Sequence, residues 1–294
     1  MKRILNRLSA YVFIGPAALV MAVACLYPVL TAGKLAFYDW SLGTPWESAR
    51  FVGLQMFEAL LHDPAVLRSL VTTLEFAAIV VSCEMALGIA LALLLERPVR
   101  GMATFRTFFI LPMMVAPIVV GLTWRYLFDS QYGMINQLLH VFGVPAQAWL
   151  ADPQLAFIAV IIADIWQWTP FVFIMIMAGL QNIDGSVMEA ARIDGASPLQ
   201  AIFKVKLPML MPIIVVTLLM RVIDAFRVLE VIYMMTFGGP ADSTEILSLH
   251  IYKVAFVSQK LGYASSVSVL LLLVVLVLSL CALMISNPLK GAKK

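Results

Sequence analysis

The sequence predicts an all-α membrane protein, a polytopic bundle of six transmembrane helices. Three observations carry that prediction. Of 294 residues, 62% are hydrophobic and 13% charged, with a mean hydropathy of +0.96. Soluble domains run at roughly 45–50% apolar and about 25% charged. So few charges cannot cover so much apolar side chain, which excludes a soluble enzyme, a disordered chain and a secreted disulfide scaffold. The apolar residues also gather into six runs, each near the ~20 residues that a bilayer crossing needs. They are continuous rather than alternating, so they read as helices and not barrel strands. Finally, the 20 lysines and arginines are distributed unevenly between the segments joining the runs.

The first run, about 11–32, follows Lys2, Arg3 and Arg7. Ala22-Val23-Ala24-Cys25 faintly resembles a lipoprotein cleavage site, but the run continues to Leu30, so a retained span is expected. The connector from about 33 to 69 carries Phe57–Leu61, read as a short interfacial helix. The second run, about 70–95, holds the isolated acid Glu84, read as an interhelical contact. The third covers about 107–128. The fourth, about 154–180, carries Asp164, Trp166, Gln167, Trp168 and Thr169, with a kink expected at Pro170. The fifth, about 209–235, carries Arg221, Asp224, Arg227 and Glu230 three residues apart with alternating sign. Gly238-Gly239-Pro240 then makes a turn, and the sixth run covers about 264–286. The chain reads as one membrane domain over 1–294.

Orientation follows from the basic residues. With the N-terminus inside, twelve fall in inside segments: Lys2, Arg3, Arg7, Arg97, Arg100, Arg106, Arg192, Lys204, Lys206, Lys290, Lys293 and Lys294. Five fall outside: Lys34, Arg50, Arg68, Lys253 and Lys260. Arg125, Arg221 and Arg227 lie in spans or at their rims. Both termini are therefore expected in the cytoplasm. Cys25, Cys83 and Cys281 all lie in apolar runs and read as buried thiols. His62, His140 and His250 have no metal-ligand spacing, so no metal site is expected. The net charge of +3 decides nothing about nucleic acid; in a chain of membrane spans no nucleic-acid partner is expected.

An ionisable group inside hydrocarbon costs roughly 2.5–3.5 kcal/mol or more, so each one needs a reason. Asp164 and Asp224 stand at similar depth in their spans, and Asp164 and Arg221 have opposite sign, which predicts a pair across helices. Trp166, Gln167, Trp168, Asp224 and Tyr233 also supply hydrogen-bonding groups and aromatic faces of the kind that a polar, ring-bearing solute needs. Asp164, Trp166, Gln167, Trp168, Arg221, Asp224, Arg227, Glu230 and Tyr233 are the candidates for a pathway. Helix-to-helix hydrogen bonds alone are the competing explanation.

The inside segment 182–208 differs from the other connectors. Asp184-Gly185 is a turn signal, and Ser186 with Glu189 reads as a capping box opening a helix. Gly195 stops that helix. Ser197-Pro198 opens a second one, with Ser at the cap and Pro at the first position. A compact surface helix between two spans is shaped to dock into a groove on a cytoplasmic partner.

The string Glu189-Ala190-Ala191-x-x-Asp194-Gly195-Ala196, followed by Phe203 and Leu207-Pro208, closely resembles the EAA loop. That loop is the signature of permease subunits of binding-protein-dependent ABC importers. Phe51-Val52-Gly53-Leu54, His62-Asp63-Pro64, Trp168-Thr169-Pro170-Phe171, Ala178-Gly179-Leu180 and Thr236-Phe237-Gly238-Gly239-Pro240 are similar to the carbohydrate-uptake branch, with its maltose-type and glycerol-phosphate-type permeases. The resemblance covers nearly the whole chain.

It implies a type I ABC importer permease fold in a bacterial inner membrane. It also implies a coupling helix that seats in a nucleotide-binding subunit. Glu189, Ala190, Ala191, Asp194, Gly195, Ala196, Leu207 and Pro208 would be the ATPase-coupling residues, with a side chain at position 195 expected to clash. The implied partners are a second related permease, two ATP-binding subunits, a periplasmic solute-binding protein and membrane lipid. No G-x-x-x-x-G-K-[ST] is present, so the chain has no phosphate-cradling loop of its own. No cofactor is expected on this chain, and ATP and Mg would bind the partner ATPase. Two alternatives are an ion-coupled carrier using Asp164 and Asp224, and a polytopic membrane enzyme, for which no nucleophile or histidine motif accompanies those acids.

Overall fold

The computed structural model describes residues 2–96 and 101–286. Arg97, Arg100, Lys290, Lys293 and Lys294, five of the basic residues behind the expected orientation, lie outside the described residues. Thirteen α-helices are described: α1 (Lys2–Leu35), α2 (Gln55–Leu61), α3 (Pro64–Leu94), α4 (Met102–Met114), α5 (Pro117–Leu127), α6 (Met134–Val141), α7 (Pro153–Gln181), α8 (Gly185–Ile193), α9 (Pro198–Gln200), α10 (Leu207–Ala225), α11 (Glu230–Met235), α12 (Leu247–Tyr252) and α13 (Leu261–Ser286). A two-residue hairpin pairs β1 (Tyr38–Asp39) with β2 (Arg50–Phe51), antiparallel, Tyr38 opposite Phe51. Five helices are long and apolar enough to cross a membrane, and α4 with α5 make a sixth crossing if taken as one bent span.

The chain groups into two compact units. The first holds the residues up to Leu67 together with His250–Leu272. Its hairpin is tied by aromatic rings: Tyr38 lies 5.2 Å from Trp46 and 5.3 Å from Phe51, and Lys34 sits 4.7 Å over Trp46. Where a short helix was expected, near Phe57–Leu61, α2 is present. Asp63 precedes α3 and accepts the Tyr263 hydroxyl at 2.6 Å and the Ala65 N–H at 2.9 Å. Partial burial works against its ionisation. The Tyr263 and backbone hydrogen bonds outweigh that, and Asp63 stays below the usual carboxylate range.

The second unit holds Arg68–Leu249 and the end of α13. Its centre is α7, which touches α4, α5, α10 and α11. Asp152 caps α7 by accepting the Gln154 and Leu155 N–H groups at 2.9 Å, and Pro153 fills the first position. Glycines let the neighbours approach. A Cβ on Gly88 of α3 would sit 2.6 Å from Val172 of α7, and one on Gly179 of α7 would sit 2.6 Å from Ile213 of α10.

Two expected spans are not single helices. The third breaks at Val115-Ala116, and α4 and α5 diverge by 97°. Pro117 has no N–H and drives Ala116 to extended backbone, observed at φ −59°, ψ 135°. Pro112 and Pro117 were the visible signals for this break. The fifth span ends at Ala225 and restarts as α11 at Glu230. The four charges therefore do not wind around one helix: Arg227 sits in the gap and Glu230 opens the next turn. The Ser248 hydroxyl donates to the Val228 carbonyl that the gap exposes. By contrast, α7 remains one helix through Pro170.

Candidate functional site: a buried ion cluster, its cavities and the 182–208 loop

Arg221 of α10 is almost fully buried and meets three carboxylates. Its Nε and Nη2 donate to the two oxygens of Glu84 on α3 at 2.7 and 3.0 Å. Its Nη1 donates to Asp224 at 2.7 Å, and its Nη2 lies 3.3 Å from Asp164 of α7. The guanidinium carbon stands 4.8 Å over the Trp168 ring. Glu84 and Asp164 have no exposed surface, whereas Asp224 is partly open and also lies 3.6 Å from Arg227. One planar cation thus joins α3, α7 and α10 at a depth where an unpaired charge is not tolerated.

The pairing expected between Asp164 and Arg221 is present, and so is the interhelical contact expected of Glu84. The sequence did not show that Glu84, rather than Asp164, holds Arg221 in the two-pronged grip. Its one signal was the isolation of Glu84 in an apolar run.

Two small cavities open beside this cluster. One of about 330 Å³ is lined by Trp168, Phe171, Met220, Ile223, Arg221, Asp224 and Arg227. The other, about 240 Å³, is lined by Gln167, Trp168, Asp224, Arg227 and Glu230 with Pro117, Val228 and Val231. Both include Arg227 from the gap after α10, and the second also reaches Pro117 at the α4–α5 break. Gln167 Nε2 donates to the Val115 carbonyl at 3.2 Å, so the side chain facing the cavity also holds the α4–α5 break.

Of the nine pathway candidates, Gln167, Trp168, Arg221, Asp224, Arg227 and Glu230 line these cavities, and Asp164 stands behind Arg221. Trp166 does not join them: it is 44% exposed and packs edge-on against Trp124 at 5.7 Å. Tyr233 lies against Phe237, ring centres 5.0 Å apart, and lines neither cavity. Adjacent helix positions point about 100° apart, which separates Trp166 from Gln167. Phe171, Met220, Ile223, Pro117, Val228 and Val231 were missed because apolar residues in apolar spans carry no distinguishing signal.

The segment 182–208 forms a helix–turn–helix. Its first helix starts two residues earlier than expected, because Asp184, not Ser186, is the cap. The Asp184 carboxylate accepts the Ser186 N–H at 2.9 Å, and this bond holds its carboxyl below the usual range. Gly195 ends α8 at φ +77°, with the Ala196 N–H bonded to the Ala191 carbonyl. A Cβ at Gly195 would meet nothing within 4 Å, so within this chain its demand is on backbone conformation and not on space. Ser197 and Gln200 cap α9 reciprocally at 2.9 and 3.3 Å. A π turn over Ala201–Lys206 then feeds directly into α10, where Leu207 and Pro208 stand at the first positions. Lys206 pairs with Glu96 beyond the end of α3. Glu189, Ala190, Asp194 and Gly195 are exposed, Ala191 and Ala196 partly so, and Ile193, Leu199 and Phe203 present apolar side chains outward at 86, 67 and 66% exposure.

Residues 84–287 match the family model described as the binding-protein-dependent transport system inner membrane component. The chain belongs to this family. The permease is 33% identical over 279 residues to a probable ABC transporter permease of Bacillus subtilis, covering 94% of each chain. It is 35% identical over 270 residues to the trehalose/maltose transport system permease of Thermococcus litoralis, covering 92% of this chain and 90% of the relative. The sn-glycerol-3-phosphate transport system permease of Escherichia coli O157:H7 is 33% identical over 279 residues, with 93% and 92% covered. In fold, the permease superimposes on a chain of a bacterial ABC transporter that imports the acidic polysaccharide alginate, with a TM-score of 0.83, 22% identity and 97% of both chains covered. The fold is therefore that of an ABC importer permease, a multi-pass inner-membrane component.

Proposed function

We propose that this permease forms part of the pathway of an ATP-driven carbohydrate importer, with the cavity around Trp168, Asp224, Arg227 and Glu230 as its solute-facing wall. One observation carries this reading: α10 joins the two sites. Its start continues from the exposed 182–208 loop, and Arg221 and Asp224 near its end stand at the cavity. A displacement of α8 passes through the capped turn at Ser197 and the π turn into α10, and so reaches the groups that face solute. Trp168 offers an aromatic face to a sugar ring, while Gln167, Asp224 and Glu230 accept or donate hydrogen bonds to hydroxyls. Carbohydrate as the solute class is supported by the sugar permeases among the relatives.

The partners are a second related permease, two ATP-binding subunits, one of them seated on α8, and a periplasmic solute-binding protein. ATP hydrolysis takes place on the ATP-binding subunits, and α8 with its Glu189–Ala196 string is the contact. An ion-coupled carrier fits less well, because Asp164, one of its two proton sites, is sealed behind Arg221. The test is the Trp168→Ala variant in the complete complex, reconstituted in vesicles with its binding protein. Solute uptake should fall about tenfold or more, equivalent to about 1.4 kcal/mol of lost interaction, with ATPase activity retained. Unchanged uptake would remove the cavity from the pathway.

A further inference from the structure

Between the third and fourth crossings, the 22 residues from Ser130 to Ala151 contain no lysine, arginine, aspartate or glutamate. Connectors outside a membrane are ordinarily polar, so this one needs an explanation. It is not loosely held. Asp129 accepts the Tyr132 and Gln131 N–H groups at 2.8 and 2.9 Å. Asn136, on α6, is buried and donates to the Ser130 and Gln147 carbonyls at 3.3 and 2.9 Å. Its side-chain oxygen accepts the Gln147 N–H and the Trp149 indole N–H, each at 3.0 Å. Trp149 in turn packs on Phe128 at 5.1 Å, just past α5. One face of α6 is therefore clamped to the end of the third crossing.

The opposite face is apolar and uncovered. Leu138 is two residues from Asn136 and so about 200° away around the helix. Met134, Leu138 and Val141 share that face, with Phe142 beside them and Tyr132 just before the helix. These five are 58, 53, 78, 82 and 81% exposed in that order. Gln137 and His140 lie between the two faces and are also exposed.

We propose that α6 is an interfacial helix that lies in the lipid–water boundary, with Met134, Leu138, Val141 and Phe142 inserted among the acyl chains. Continuity with the bilayer selects lipid as the occupant. The loop is tethered where α5 ends and α7 begins, so the clamped face fixes α6 at membrane-surface level. Tyr126, 74% exposed at the end of α5, and Tyr132 flank Phe128 of that tether in sequence, exposed tyrosines of the kind that anchor at a membrane interface. The absence of charge argues against a soluble docking partner, whose interface would carry a polar, charge-complementary rim. It also means that binding rests on apolar insertion and needs no anionic lipid.

The test uses the complete transporter in nanodiscs of phosphatidylcholine alone. Cys25, Cys83 and Cys281 are replaced by serine, and a nitroxide is attached at Leu138→Cys, Val141→Cys or His140→Cys. Labels at 138 and 141 should relax with oxygen and be shielded from a water-soluble nickel chelate, whereas the label at 140 should contact the chelate. Equal chelate access at 140 and 141 overturns the proposal, since α6 would then lie in water. Shielding of 138 and 141 from both reagents also overturns it, because a protein surface would then cover the face. If the cysteine-free protein fails to assemble, Val141→Trp in the native background gives the same reading. Brominated lipid should quench its added fluorescence, and absence of quenching overturns the proposal.

Discussion

At the scale of single residues, Arg221 holds the buried cluster together through three carboxylates. Removing it leaves Glu84 and Asp164 buried against each other with no cation between them. Truncating one partner of a buried ion pair costs about 3–5 kcal/mol, so Arg221→Met should abolish stable assembly, read as loss of the folded peak in size-exclusion chromatography. Arg221→Lys should recover only part of the folded fraction, because an ammonium cannot hold Glu84 with two parallel bonds while reaching Asp164 and Asp224. Full recovery by lysine would mean that charge alone matters. Asp184 acts on a smaller scale. Its folded pKa lies below its unfolded one, so its capping contribution is complete above the unfolded value and is lost only as pH falls through the depressed folded value. Binding-protein-stimulated ATPase should therefore show no Asp184-dependent change between about pH 6 and 8. Asp184→Ala should lower it throughout that range, and Asp184→Asn, an equally good cap, should not.

At the scale of elements, the breaks set the geometry of the cavity, and they differ in how well the sequence announced them. Pro112 and Pro117 marked the third span, and a stricter reading of the residue before proline would have placed the bend at Ala116. The gap after Ala225 has no glycine or proline; one of its carbonyls, that of Val228, is met by Ser248 from a distant segment, which local pattern cannot reveal. The helix–turn–helix at 182–208 was legible almost residue by residue, because caps and glycine stops are local chemistry. The misplaced first cap, Ser186 for Asp184, arose because both residues are good caps two positions apart. Gly195 gives a test of this element. Asparagine tolerates a left-handed backbone and valine does not. Gly195→Asn should thus keep more coupled ATPase and uptake than Gly195→Val, with assembly intact in both. Equal loss would instead point to steric exclusion by the ATPase surface.

At the scale of the whole molecule, the count of basic residues makes the most direct prediction. With the N-terminus inside, twelve of 20 are expected on the cytoplasmic side, so a fluorescent protein fused after Lys294 should glow in the cytoplasm, and a periplasm-dependent phosphatase at the same place should be inactive. The reverse pattern would invert every inside and outside assignment made from charge. The buried cluster also has a history in time. Glu84 lies 137 residues before Arg221, and Asp164 lies 57 before it. At about 5–20 residues per second, Glu84 enters the membrane roughly 7–30 s before its cation has been synthesised. During that interval the second span, and over its last 57 residues the fourth as well, carries an acid whose Arg221 partner does not yet exist. The order of translation therefore leaves the early spans dependent on protonation or on a polar shelter at the insertion machinery, until α10 arrives and releases them into lipid.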